Sequence, residues 1–428
     1  MCDIQSQLVS AMGADAVSTD LPDGIDECSK ASGRPSYVAY PDTVEALGQV
    51  MALANENGWR VLPMGQGSKL TWGGLAEGLD VVVSTARLNR IVEHSVGDFT
   101  VTVQPGLRVS DLQATLAEKG QFLAVDPAFS PQATVGGLVA TADTGSLRQR
   151  YGGLRDMLIG VQFARYDGKL ARAGGKVVKN VAGYDLMKLM TGAYGSLGVL
   201  SELTFRLYPQ MNNLRSLILT GSISDIEAAT AAIRLSGLTP VAFDVLSRSV
   251  MRSLCETNCA GIVARFQGVP EGVEEQSERL RRIAEQHSMA VQILDGDADA
   301  EFWRRSATLV QPDSVLCKVG LKPSGIAELI ALIERIGFEA QGRLYGSSGL
   351  GWVQLAKDSS ETPNSVEKLR SHCESHAGFL TLLQAPVYMK KTVNVWGYTG
   401  NAIGVMSSIK QKFDPRSLLS PGRFVGGL

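Results

Sequence analysis

Residues 126–160 read DPAFSPQATVGGLVATADTGSLRQRYGGLRDMLIG, from Asp126 to Gly160. The stretch is crowded with Gly, Ala, Ser and Thr and offers few large apolar side chains before Leu154. An ordinary core helix needs side chains to pack, and this run has little to give. It offers bare backbone instead, which suits the close approach of a large ligand. Pro127, Pro131 and the pair Gly136-Gly137 keep it out of a long helix and bring N–H groups to one surface. A plain loop has the same composition, so the rest of the chain must be read with it.

Upstream, residues 63–70 read PMGQGSKL. Gly65 and Gly67 free the backbone, so successive N–H groups can turn inward and form an anion nest whose natural guest is a diphosphate. A tight surface turn is the competing reading. A P-loop would need Gly, four residues, then Gly-Lys-Ser/Thr, which never occurs. A Rossmann fingerprint would need a third glycine where Leu70 stands.

The flanking pattern predicts α/β lobes. From Pro41 a helix is expected with Asp42 as cap and Glu45 completing a capping box. Val44, Leu47, Met51 and Ala54 share its inner face until Asn57-Gly58 ends it. Strands at 60–62, 80–85 and 100–106 and a helix at 110–119 complete a first lobe, 34–120. Strands 157–164 and 169–173 meet at Asp167-Gly168, a hairpin signal. A helix around Leu186–Met190 and a strand at 199–207 then close a second lobe, 121–210. Residues 1–33 are polar and short of pattern, and read as an extension.

From Leu214 the texture changes. A β-α-β-β-α-β order is followed by a junction at Phe302–Val310 and then recurs through FLTLLQ at 379–384. Two such units predict one shared antiparallel sheet with helices on one face, a domain at 211–385. The last stretch, 386–428, ends FDPRSLLSPGRFVGGL.

Bulk properties exclude several classes of function. The 428 residues predict two or three domains. Forty-one basic against 43 acidic residues leave a net charge of −2, with no global field for nucleic acid or an anionic membrane. Aromatics at 6% argue against a base-stacking surface. No run of ~18 apolar residues predicts a membrane span, and MCDIQSQLVSAMG lacks signal-peptide features. Cysteines at 2, 28, 255, 259, 317 and 373 are too irregular for a disulfide framework, so a reduced, cytoplasmic chain is expected.

Four pieces in fixed order carry a resemblance: PMGQGSKL, PQATVGGLVATADTGSLRQRYGGLRD, VVKNVAGYDLMKLMTGAYGSLGVLSELT and FDPRSLLSPGR. Together they resemble the FAD-linked dehydrogenases of the vanillyl-alcohol-oxidase (PCMH) type. The close IKQKFDPRSLLSPGRFVGG is most similar to the FAD-binding E subunits of glycolate oxidase. The resemblance implies an α+β protein with a two-lobed PCMH-type FAD-binding domain and a cap domain with a ferredoxin-like duplicated antiparallel sheet. It places the FAD diphosphate against Met64, Gly65, Gln66, Gly67, Ser68, Lys69 and Leu70, and against Thr134, Gly136 and Gly137. Ala140, Thr141, Ala142 and Gly145 are small enough to lie flat against the isoalloxazine. Tyr151, Gly152 and Val199 would line the ring and the adenosine end. Lys69 either faces the diphosphate or is solvated, and the sequence favours solvent. No His lies between His94 and His287 and no Cys between Cys28 and Cys255, so FAD is expected to bind non-covalently.

Relatives that oxidise 2-hydroxy acids need cations for the carboxylate, a base or metal for the hydroxyl proton, and a C–H bond aimed at the flavin. The resemblance assigns the first to Arg304, Thr308 and Lys318, with a rim of solvated charges as the alternative. In catalytic relatives a His-rich glycine turn supplies the second; here GRLYGSSGLGWVQL has Arg343 and Leu350 in the histidine positions. Arg343 could stabilise a developing alkoxide but cannot act as a base near neutral pH. His372 and His376 share a helix face, but the sequence offers no third ligand, and no metal site is predicted. Two readings follow. The chain is an FAD-binding subunit of a glycolate/D-lactate dehydrogenase complex beside a catalytic FAD sister subunit and an iron–sulfur subunit, soluble or peripheral at the membrane through a partner, where it supports oxidation of glycolate to glyoxylate or serves only as an electron relay or structural partner; or it is a self-sufficient dehydrogenase of a small 2-hydroxy acid.

Overall fold

The computed structural model describes residues 4–30, 33–129, 131–176 and 183–428, so VVKNVA of the third motif lies outside the described residues. The chain divides into two units. One comprises Met1–Asp143, Gly153–Gln210 and Tyr398–Leu428; the other comprises Thr144–Gly152 and Met211–Gly397.

In the first unit the helix Val44–Asn57 buries Leu47, Val50, Met51 and Ala54. Its cap is Thr43 rather than Asp42: the hydroxyl oxygen accepts the Ala46 N–H at 3.1 Å, which satisfies one of the open donors of the first turn. Gly58 ends it at φ 74°. The run VVVS at Val81–Ser84 is wholly buried, as a strand covered on both faces should be. It lies parallel to Tyr37–Ala39 and to Val61–Met64. Val17–Ser18 adds antiparallel to Tyr37–Ala39, and the helix Ile4–Met12 buries Leu8 fully in the cluster around Leu47 and Met51. Residues 4–30 are therefore part of this core, not an extension. Their signal was too short to read, because the strand has two residues and the helix one fully buried side chain.

A second, five-stranded antiparallel sheet runs Ile91–Ser95, Thr100–Val103, Val199–Arg206, Leu158–Ala164, Leu170–Gly174. The strand at 100–103, expected in the first lobe, belongs here, so the lobes do not divide at 120. The helix expected at 110–119 is Val109–Ala117. The C-terminal segment is tied in by the Lys410 ammonium, which is buried between Asp414 (2.6 Å) and the carbonyls of Ser196 and Leu419.

The second unit is built on one eight-stranded antiparallel sheet. Its order is Ala290–Asp295, Leu214–Thr220, Gly261–Gln267, Ala242–Leu246, Gln341–Tyr345, Leu350–Leu355, Val315–Gly320, Phe379–Gln384. The two repeats join where Val245 pairs with Leu344. Helices Ile223–Leu235, Pro270–Gln286, Ile326–Ile336 and Thr362–Ser375 cover one face, burying Phe243, Phe266 and Ile330. Each such side chain contributes roughly 1.5–3 kcal/mol. Helices are not confined to that face, as was expected. Arg248–Cys255 and Gly296–Ser306 pack on the other, around Ile218, Val263 and Met251. The supposed junction at 302–310 thus begins in a helix, whose buried residues Asp299, Phe302 and Ser306 carry too little hydrophobic pattern to announce it.

Candidate functional site

A cleft of about 840 Å³, part of it open to solvent, lies within the first unit. The strand Val61–Met64 delivers all of Pro63–Leu70 to its wall, and the second wall is Thr134, Gly136, Gly137, Ala140 and Thr141. These two stretches are held close enough to require glycine. A Cβ on Gly65 would meet Thr134 Oγ1 at 2.1 Å, and one on Gly136 would meet Pro105 Cβ at 2.5 Å. The second stretch is not free of helix: Val135–Thr141 forms a short one, burying Val135, Leu138 and Val139. Thr134 caps it, accepting the Gly137 N–H at 3.3 Å.

Val199 lines the cleft with a third segment that sequence reasoning left unassigned, TGAYGSLG at 191–198. Its Gly192 and Tyr194 N–H groups donate to the Val139 and Ala140 carbonyls, both at 2.9 Å. Tyr194 takes a left-handed backbone, φ 52°, uncommon for a bulky residue and a mark of functional sites. Burial raises its phenol pKa above the usual range.

Two buried cations decide the electrostatics. Lys69 is not solvated: it is 7% exposed, donates to the Ala128 carbonyl at 3.1 Å and pairs with Asp143 at 3.3 Å. Burial holds its ammonium below the ordinary lysine range, with Asp143 opposing. Arg423, which sequence reasoning missed, is 4% exposed and lines the same cleft. It donates only to main-chain carbonyls, Leu70 at 2.8 Å, Gly74 at 3.2 Å and Cys28 at 3.5 Å, and its Nε has no partner. No carboxylate pairs with it among the described residues, and burial lowers its pKa. Lys69 is compensated and Arg423 is not, so the cleft carries a positive charge out of water. A buried uncompensated charge is costly, and a ligand diphosphate would relieve it. No His or Cys stands in the cleft lining among the described residues. The residues present fit FAD, which when bound supplies the hydride acceptor.

Four expected flavin contacts are not among the residues that line the cleft. Ala142 is the left-handed residue ending the short helix (φ 49°) and is not in the lining. Gly145, Tyr151 and Gly152 belong to the second unit, where the Tyr151 hydroxyl donates to Gln267 at 3.1 Å.

Also within the second unit, Arg343 is 7% exposed and bound on every side. Its Nε donates to Asp244 at 2.9 Å, Nη1 to Ser306 at 2.7 Å and Nη2 to Ser146 at 2.8 Å. The Ser146 hydroxyl in turn donates to Asp244 at 2.6 Å. Arg343 is therefore neutralised rather than held ready for an alkoxide. Arg304 also departs from its expected role. It lies exposed on the helix Gly296–Ser306 with both its Nε and Nη2 on Glu301, at 2.7 and 2.6 Å. Thr308 is exposed, its hydroxyl donating to the Arg305 carbonyl at 2.9 Å. Lys318 is half-buried on the strand Val315–Gly320, between Trp352 and Thr381 in register. An exposed arginine already committed to a carboxylate gives no desolvated clamp.

Comparison with known proteins places this geometry. Residues 35–174 match the family model described as an FAD binding domain. The chain is 33% identical to a D-2-hydroxyglutarate dehydrogenase of Stutzerimonas stutzeri, over 91% of this chain and 90% of that protein. It is 24% identical to the glycolate oxidase subunit GlcD of Bacillus subtilis, over 98% and 96%. It is 26% identical to a D-lactate dehydrogenase of Anaerostipes hadrus, over 91% and 89%. Among solved structures, p-cresol methylhydroxylase superposes with a TM-score of 0.77 at 16% identity, covering 98% of this chain and 95% of that one. Alkyldihydroxyacetonephosphate synthase gives 0.73 at 16%, covering 98% and 85%. The fold is thus the PCMH type, the cofactor is FAD and the protein is an oxidoreductase. No described helix is long and apolar enough to cross a membrane. The chain belongs to the FAD-dependent 2-hydroxy acid dehydrogenase family.

Proposed function

We propose that this chain is the FAD-binding subunit of a multi-subunit glycolate dehydrogenase, holding FAD non-covalently while a sister FAD subunit oxidises the 2-hydroxy acid to the oxo acid and an iron–sulfur subunit takes the electrons onward. The observation that carries the proposal is the state of Arg343. At the position where catalytic relatives are expected to carry a histidine, this chain places a permanently charged residue and consumes it in bonds to Asp244, Ser146 and Ser306. It offers no lone pair to take the hydroxyl proton. The cleft supports the flavin half of the proposal: Gly65, Gly67 and Gly136 open the backbone, Arg423 awaits an anion, and no histidine or cysteine lines it among the described residues. The likeness to a protein named glycolate oxidase subunit supports the assembly.

A second reading, a self-sufficient dehydrogenase of a small 2-hydroxy acid, is favoured by the 33% identity to a D-2-hydroxyglutarate dehydrogenase along most of both chains. The test is anaerobic. The purified, FAD-loaded chain is mixed with glycolate, D-lactate or D-2-hydroxyglutarate, and flavin absorbance is followed. Bleaching only after the sister subunit is added supports the subunit; bleaching at catalytic rates by the chain alone overturns it in favour of the second reading.

A further inference from the structure

We propose that Glu328, His372 and His376 form a binding site for a divalent transition cation of the zinc type on the helical layer of the second unit. His372 and His376 lie four residues apart at the C-terminal end of the helix Thr362–Ser375, so their imidazoles share one face. Their ring centroids are 4.5 Å apart. The third group, invisible in the sequence, comes from the neighbouring helix Ile326–Ile336: Glu328 Oε2 lies 3.5 Å from His376 Nε2. One ligand atom from each of the three residues falls within 4.8 Å of the others.

Bond lengths of about 2.0–2.1 Å at tetrahedral angles put neighbouring ligand atoms roughly 3.3 Å apart. The Glu328–His376 separation already matches that figure. The remaining spread closes by rotating the exposed Glu328 side chain and the His372 ring, whose Nε2 has only a long 3.5 Å contact to the Gly325 carbonyl. His376 is oriented for the task. Its Nδ1 lies 3.0 Å from the His372 carbonyl, which places the ring proton on Nδ1 and turns the Nε2 lone pair toward Glu328. Gly325 makes room, since a Cβ there would strike His376 Cδ2 at 2.6 Å. Two imidazoles and one carboxylate select zinc, nickel, cobalt or copper over magnesium or calcium, and three protein ligands leave a position for water. A bound ion would staple the two helices.

The experiment uses untagged, FAD-loaded, metal-stripped full-length protein titrated with Zn²⁺ alone by calorimetry, alongside Co²⁺ absorption spectra. One equivalent should bind, with a cobalt spectrum free of thiolate charge-transfer bands, and the thermal midpoint should rise with zinc. His372→Ala and His376→Ala should each weaken binding by at least roughly 10- to 100-fold, the cost of losing even a supporting contact. Glu328→Gln, at an exposed position that leaves packing intact, should weaken it in the same direction. The double variant Cys255→Ser/Cys259→Ser should bind normally. Absence of stoichiometric binding, binding that survives both histidine variants, or a thiolate band abolished with Cys255 and Cys259 would overturn the assignment.

Discussion

Replacing Arg423 by methionine should separate cofactor affinity from fold stability. The side chain is 4% exposed, and its three hydrogen bonds run to carbonyls at 2.8, 3.2 and 3.5 Å, only the first of them short. In the apo protein the substitution removes those bonds, each a net contribution of about 0.5–1.5 kcal/mol and more when charged. It also removes a buried charge with no counter-ion, whose desolvation penalty is several kcal/mol. The two effects oppose, and methionine preserves much of the volume, so apo stability should change little. With the FAD diphosphate beside it, as the cleft's uncompensated charge leads us to expect, the cation would gain a counter-charge. Losing a charge-assisted hydrogen bond costs about 1.5–3 kcal/mol, or roughly 10- to 150-fold in Kd. The assay is calorimetric or fluorimetric titration of apo protein with FAD, with thermal melts of both forms. A Kd unchanged within about twofold, or an equal fall in the melting point of apo and loaded protein, would show that Arg423 is only a structural strut.

Three further outcomes are expected. Gly136→Ala gains at most about 1 kcal/mol of helix propensity, but its Cβ would lie 2.5 Å from Pro105 Cβ and 2.9 Å from the Pro105 carbonyl oxygen; crowding of this kind costs about 1–3 kcal/mol, so denaturant melts should show net loss, with weaker flavin retention on gel filtration. Asp244→Ala strands the Arg343 charge and should cost about 3–5 kcal/mol, whereas Asp244→Leu combined with Arg343→Met should be close to neutral; a single variant as stable as the parent in urea would refute the network. Desolvation pushes the Cys317 and Cys373 thiols up from 9.0 to about 12. Because the folded form keeps protons that the unfolded form releases, their contribution is complete below about pH 9 and fades as pH rises toward 12. Melting midpoints should therefore fall across that alkaline window, and both thiols should resist a disulfide reagent at pH 8 while the half-buried Cys259 reacts.

Elements whose side chains alternate or run continuously apolar were legible in the sequence. The strands expected at 80–85 and 199–207 are Val81–Ser84 and Val199–Arg206, because burial of a sheet is written into each strand locally. The two glycine-bearing loops were legible for a similar reason, since Gly65 and Gly136 answer to close packing that no other residue tolerates. What stayed hidden depends on partners far along the chain. Lys69 reads as solvated until Asp143 and the Ala128 carbonyl are beside it. Arg343 reads as an available cation until Asp244 and Ser146 take it. Arg304 reads as a substrate clamp until its helix turns it outward to Glu301. Charged side chains carry no periodic signature of their own, so their roles follow from folding and cannot precede it.

The first unit is completed by residues 398–428, which follow the whole of the second. During synthesis the chain emerges in order at about 5–20 residues per second, so Pro63–Leu70 and Thr134–Gly137 exist well before Arg423 leaves the ribosome. The unit must also close contacts across several hundred residues, which is slow. A nascent or truncated product ending near 397 would have both glycine-bearing loops yet lack Arg423, the buried cation of the cleft.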